Sequence, residues 1–227
     1  MSTARVRRPV TRLEAVTYEA YLRLRDDPDN QGLRMAYHDG VLEIVSPQYI
    51  HDSGARRMFV VVLAYCMEFR VPCAPAGGTT FHVGLPGEPK GKGKEPDESF
   101  YLRDAAAAIR GRISLDLTVD PPPSLWVEVD NWGSSKAKIP LYAGLKIPEV
   151  WRYRVRRRTL WFGRLDGAGD GYDEIAASEA LPGLTPAMVL EMLDDENAWD
   201  VAAWRRSVEG VWFPAHRQEL IDGGAGR

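Results

Sequence analysis

Two acidic stretches carry the chemistry of this chain. Lys94-Glu95-Pro96-Asp97 is followed about thirty residues later by Trp126-Val127-Glu128-Val129-Asp130, and both set carboxylates in or beside apolar segments. A carboxylate buried without a partner costs several kcal/mol, so such residues need a cation, a hydrogen-bond network or a function. Two acidic strand ends from different parts of a chain can share a divalent cation through hard oxygen ligands. That cation acidifies a water and neutralises charge on a scissile phosphate, while a neighbouring lysine orients the water or stabilises the developing charge. Asp97, Glu128 and Lys138 supply these residue types, with Asp130 and Glu43 as further candidate metal ligands. The combination points to metal-assisted phosphodiester hydrolysis. Pro-Asp and Glu-Val pairs also arise by chance, so spacing alone leaves the reaction open.

The elements that must position these residues are legible as patterns. Tyr18, Tyr21 and Leu22 form one apolar face of a helix running from Thr17, a fitting N-cap, to about Arg25. Leu33–Tyr37 and Val41–Val45 flank His38-Asp39-Gly40, and Asp-Gly between apolar runs marks a hairpin. Alternation puts Glu43 on the side of Val41 and Val45, either as a strand-end residue reaching solvent or as part of a site. A long buried helix spans about His51 to Arg70, with His51 near its start as a capping or site residue. Gly77–Val83 reads as a strand, and the Gly/Pro/Lys run from Gly84 to Lys94 as a loop. That loop lacks the spacing and terminal Ser/Thr of a nucleotide P-loop, which leaves a basic flap or an exposed hairpin tip.

On the strand Leu125–Val129, period-2 alternation turns Leu125, Val127 and Val129 one way and Trp126, Glu128 and Asp130 the other. A turn at Asn131–Ser135 leads into a helix through Lys138, Leu141, Tyr142 and Leu145, with Pro140 in its first turn. Glu149–Tyr153 and Thr159–Phe162 pair around Arg156-Arg157-Arg158, and Tyr172–Ala176 can add a strand. Thr185-Pro186 opens a helical region in which Trp199, Val201, Trp204 and Val208 suggest an amphipathic tail. The organisation read from these patterns is a flexible basic arm (1–14), a main domain (15–195) and a helical extension (196–227) with a disordered tail at Gly223–Arg227.

Composition bounds the function classes. The chain has 227 residues, 44% hydrophobic and 27% charged, with a formal net charge of −3, so no global basic field draws it onto nucleic acid. Local basic clusters exist at Arg5, Arg7 and Arg8, at Lys90, Lys92 and Lys94, and at Arg152, Arg154 and Arg156–Arg158. Each is a phosphate-binding stripe or a solvated face. Cys66 and Cys73 have no metal-type spacing and imply no disulfide framework. The longest apolar run, Met58–Met67, is too short to span a bilayer, and the basic N-terminus lacks a signal-peptide core, so the expected location is the cytoplasm with no membrane partner.

Four stretches together resemble the Uma2 (DUF820-like) family of restriction endonucleases within the PD-(D/E)-x-K nuclease superfamily. They are Tyr37–Pro47, Gly93–Tyr101, Trp126–Asp130 and Lys138–Tyr153, and the likeness extends over about residues 15 to 195. It implies an α/β (α+β), restriction-endonuclease-like fold, a mixed β-sheet flanked by helices. It also implies a magnesium-dependent DNA endonuclease, with manganese as a substitute. By that resemblance Asp97 is the acid of the Pro-Asp motif, Glu128 the second acid, and Glu43 an upstream acid of the metal site or its surroundings. The motif lysine would follow the second acid by two residues, where Asp130 stands. The resemblance displaces it onto the next helix, to Lys138, with Lys136 as the runner-up. His51 matches a histidine that follows the Ser-Pro of relatives, and Asn131–Ser135 departs from their Ser/Thr-rich turn. The competing expectations are a catalytically silent nucleic-acid-binding or regulatory module that keeps the fold, and an interaction protein whose C-terminal tryptophans form a dimer face. Cleavage of both DNA strands would be easiest for a homodimer.

Overall fold

The computed structural model describes residues 10–30, 33–45, 49–84, 91–131, 135–196 and 200–226. The expected clusters at Arg5, Arg7 and Arg8, the loop residues 85–90, the turn residues Trp132–Ser134, and Trp199 lie outside the described residues. Strands and helices are numbered in chain order.

Two sheets form the frame. The first contains β1 (Val10–Leu13), β2 (Arg34–His38), β3 (Val41–Val45), β5 (Phe81–Val83) and β6 (Lys92–Lys94), in the order β1-β3-β2-β6-β5 and antiparallel throughout. The second contains β4 (Cys73–Pro75), β7 (Glu98–Leu102), β8 (Leu125–Asp130), β9 (Glu149–Arg154), β10 (Thr159–Leu165) and β11 (Tyr172–Glu174), in the order β11-β10-β9-β8-β7-β4. Its one parallel pair is β8 with β9, joined by the short helix α4 (Ile139–Gly144), so this is the expected mixed sheet. The other helices are α1 (Tyr18–Asp26), α2 (Tyr49–Glu68), α3 (Asp104–Ala108), α5 (Pro186–Leu193), α6 (Val201–Ser207) and α7 (Phe213–Asp222). A π-helical segment, Val208–Trp212, links the last two.

Local chemistry accounts for these elements. Thr17 caps α1 by accepting the Ala20 N–H at 3.1 Å, and Thr185 caps α5 through the Met188 N–H at 3.3 Å. Asp39 and Gly40 both take positive φ (48° and 81°), as a two-residue hairpin loop between β2 and β3 requires. Alternation on β8 divides the second sheet between two cores. Leu125, Val127 and Val129 pack with α2, α5 and the C-terminal helices, while Trp126 packs with Phe81 of the first sheet and Leu141 and Tyr142 of α4. Trp204 lies fully in the first of these cores, its Nε1 donating to the Met192 carbonyl at 2.7 Å, and is not available as a dimer face. The C-terminal residues as far as Gly226 form turns, with Ala225 buried and its N–H on the Leu220 carbonyl at 2.9 Å.

The Gly-Lys-Gly-Lys run departs from its expected loop. Lys92–Lys94 is a strand pairing with both β2 and β5. Alternation gives its two faces different work. Gly91 and Gly93 lie beneath α1, where an added Cβ would collide with the Tyr18 ring and with the Tyr21 hydroxyl. Lys92 crosses Gly144 of α4, and Lys94 enters the space between the two sheets. Replacing Gly93 by Ala should therefore cost about 1–3 kcal/mol by overpacking α1 against the sheet. Urea unfolding of G93A checks this, and an unchanged midpoint would show that α1 does not sit tightly on β6.

Candidate active site

One strand pair brings the two strand-end acids opposite each other. Glu98 on β7 faces Val127 on β8, so Asp97, one residue before β7, comes opposite Glu128. Facing residues of antiparallel strands share one side of the sheet. Asp97 is buried, and its Oδ2 accepts the Val129 N–H at 2.6 Å, which holds the carboxylate against β8. Its Oδ1 receives the guanidinium of Arg34 from β2, and the same guanidinium reaches Asp52 of α2 at 3.5 Å. Glu128 is also buried. Its Oε1 accepts the Trp126 indole N–H at 2.5 Å and the Lys94 ammonium at 2.8 Å.

Lys94 was not among the candidates expected from sequence. Its ammonium also donates to the Glu95 carbonyl at 2.8 Å and stands 5.9 and 6.0 Å from the ring centroids of Trp126 and Tyr142. A buried ammonium needs such a carboxylate and such π-faces to offset its lost hydration. The signal that could have found it is the period-2 alternation of glycine and lysine, which marks a strand with a crowded face and a cationic one.

Glu43 joins this face. Cross-strand register aligns Glu43 with Ala36 and Ala36 with Lys94, so all three sit on one side of the first sheet. Lys138 ends the 3₁₀ turn Ser135–Lys138 at the head of α4 and pairs with Glu43 at 3.1 Å. Lys136 lies in the same turn and is exposed. His51 falls in α2, and its side chain lies outside what is described. Asp130 has a different set of partners. Its carboxylate accepts the Ser135 N–H at 2.8 and 3.0 Å and the Ser135 hydroxyl at 3.0 Å, and it pairs with Arg152 at 3.2 Å. It thus pins the start of the turn that carries Lys138 to the end of β8.

Tyr142 of α4 faces this acidic cluster. Its hydroxyl is buried with no hydrogen-bond partner among the described residues, and burial, reinforced by the charges of Glu128, Asp130 and Asp97, holds its pKa well above the usual phenol value. The phenol stays protonated and offers a hydrogen to whatever oxygen enters beside the carboxylates. Among the described residues, no three His, Cys, Asp or Glu side chains stand close enough together to hold one metal ion. Each candidate carboxylate leans on a cation of the chain instead: Asp97 on Arg34, Glu128 on Lys94, Glu43 on Lys138 and Asp130 on Arg152. The donor chemistry nonetheless fits magnesium. That ion binds through one or two carboxylates and keeps its remaining waters, a demand that the two acids Asp97 and Glu128 suit by type.

The fold around these residues is similar to that of a solved structure from Anabaena variabilis described as "a putative nuclease belonging to DUF820", with a TM-score of 0.51 and 13% sequence identity, covering 84% of this chain and 99% of that one. At that identity the likeness concerns the fold alone. The family model Uma2, described as "Putative restriction endonuclease", matches residues 18–200, and the chain belongs to this family. No curated protein sequence matches it.

The pairing of Lys94 with Glu128 generates a double-variant test. Lys94→Met leaves a buried carboxylate unpaired and should cost about 3–5 kcal/mol. Adding Glu128→Gln removes the charge, keeps an acceptor for the Trp126 indole and should recover most of that loss. Urea unfolding of the single and double variants decides. Equal losses in both would mean that Lys94 acts by packing and not by charge.

Proposed function

We propose that the protein is a metal-dependent endonuclease that hydrolyses phosphodiester bonds in DNA, with magnesium, or manganese in its place, held by Asp97 and Glu128. The observation that carries this reading is the apposition of two buried acids on the facing ends of β7 and β8, in a chain of a restriction endonuclease family. A bound divalent cation would supply charge neutralisation on the phosphate and a more acidic water. The chain supplies the rest. The Val129 N–H fixes the Asp97 carboxylate, and the Trp126 indole fixes that of Glu128. Lys138, held by Glu43 and partly open to solvent, would donate a hydrogen bond to the attacking water or to the developing oxyanion. Glu43 and Asp130 act here as positioning residues, Glu43 through the Lys138 ammonium and Asp130 through the turn before it. The reading includes a cytoplasmic setting and, for cleavage of both strands, a homodimer. No helix among the described residues is long and apolar enough to cross a membrane.

The second reading, a silent nucleic-acid-binding module, draws on the internal ion pairs that already neutralise every candidate carboxylate. The two readings separate cleanly. Asp97→Asn keeps an acceptor for the Val129 N–H and should leave the melting transition in place while lowering magnesium-dependent cleavage of a DNA substrate by about a hundredfold or more. Wild-type protein that binds DNA but turns none over with magnesium or manganese would favour the silent module.

A further inference from the structure

A cleft of about 580 Å³ opens beside Asp97, lined in part by Arg25 of α1, Arg34 of β2, Arg56 of α2 and the Thr79 and Thr80 residues. The three arginines come from three separate elements and form no cluster in the sequence. Arg25 grips Asp26 with Nε and Nη2 at 2.7 and 2.9 Å, while its Nη1 is buried with no hydrogen-bond partner among the described residues. Arg56 pairs with the buried Glu98 but keeps a largely exposed side chain. Arg34 is committed to Asp97 and Asp52. The opposing carboxylates that line the cleft are Asp97 and Glu95. Glu95 receives the Thr80 hydroxyl at 2.8 Å.

We propose that this cleft is a phosphate-binding groove for a polynucleotide backbone, and that Arg34 changes partner within it, from Asp97 in the metal-free protein to a substrate phosphate once Asp97 is committed to a cation. The inference rests on the metal-site reading of Asp97. Guanidinium groups bind carboxylate and phosphate through the same planar fork, so the exchange needs little new geometry. The lining sets three guanidiniums against the carboxylates of Asp97 and Glu95, with Asp26, Glu98 and Asp52 as further partners of the arginines, so engaging Asp97 shifts the charge of the groove toward positive beside the candidate reaction centre. Arg56, exposed at the rim, contributes whether or not Asp97 is engaged. Arg34 contributes only when it is.

Binding of a fluorescein-labelled oligonucleotide, followed by anisotropy across a salt series in EDTA and in calcium, tests this with wild type, Arg34→Gln and Arg56→Gln. Thermal melts verify that each variant is folded. Arg56→Gln should weaken binding about tenfold under both conditions and reduce the salt slope by about one phosphate contact. Arg34→Gln should weaken it about tenfold in calcium and little in EDTA. Wild-type affinity and salt slope in both variants would overturn the groove, and an equal Arg34→Gln loss in EDTA would overturn the change of partner. Inorganic phosphate that binds, as read by phosphorus NMR line broadening, where the oligonucleotide does not would overturn the polynucleotide assignment. Cleavage by the wild type is measured alongside. An active enzyme indifferent to Arg34 and Arg56 sinks only the groove, whereas a wild type that neither cuts nor binds sinks the nuclease reading with it.

Discussion

Removing a carboxylate from water is the constraint around which this molecule is arranged. Asp97 and Glu128 lie buried on one face of the second sheet, and their own strands bring them hydrogen-bond donors but no cation. The cations come from the first sheet: Arg34 from β2 and Lys94 from β6. Without them two adjacent charges would repel each other in a poorly screened space, at a cost comparable with much of the net stability of a domain. The acids therefore help to dictate how the sheets meet. The aromatic residues around them, Phe81, Trp126 and Tyr142, exclude water and line the slot in which the Lys94 ammonium lies.

Much of the frame could be read from residue patterns because it depends on local rules. The Asp39-Gly40 hairpin, the threonine caps of α1 and α5, and the two-faced strand β8 follow from turn chemistry, capping and alternation, and each occurs where those rules place it. The second sheet's mixed character followed from the family resemblance and is present through the parallel pair β8–β9. What escaped was set by distant partners. β4 is a three-residue edge strand beside β7, too short to carry a period. β6 has the composition of a loop, since glycine and lysine are poor strand formers. It is a strand because β2 and β5 flank it and because only glycine fits beneath Tyr18 and Tyr21.

The candidate site divides along the same line. Asp97 and Glu128 were visible as acids in apolar settings, and alternation already gave Glu128 its face. Their partners could not be read, because Arg34, sixty-three residues before Asp97, is brought there only by sheet pairing. Asp130 illustrates the reverse. It shares the alternation of Glu128 and stands in the sequence as a further candidate ligand, and its carboxylate serves Ser135 and Arg152. Pattern reports which side of a strand a residue occupies and says nothing of what lies opposite.

The internal ion pairs also bear on how a nuclease of this kind would be controlled. A carboxylate cage built only for metal would repel itself when the metal is absent, and the apo protein would be weakened accordingly. Here each acid has a cation of its own, so on the proposed reading a divalent ion would compete with guanidinium and ammonium groups. Competition lowers apparent affinity by the free energy of the pair displaced. On that reading it would also link metal entry to the release of a basic group beside the place where a phosphate would arrive. The pairs differ in how readily they can yield. Lys94 is buried and wedged between rings, whereas Arg34 and Lys138 keep about a quarter of their side-chain surface exposed and can turn toward solvent. On physical grounds Lys94 is then a fixed counter-charge that holds Glu128 in place, and on the proposed reading Arg34 and Lys138 are the paired groups better able to turn toward a substrate.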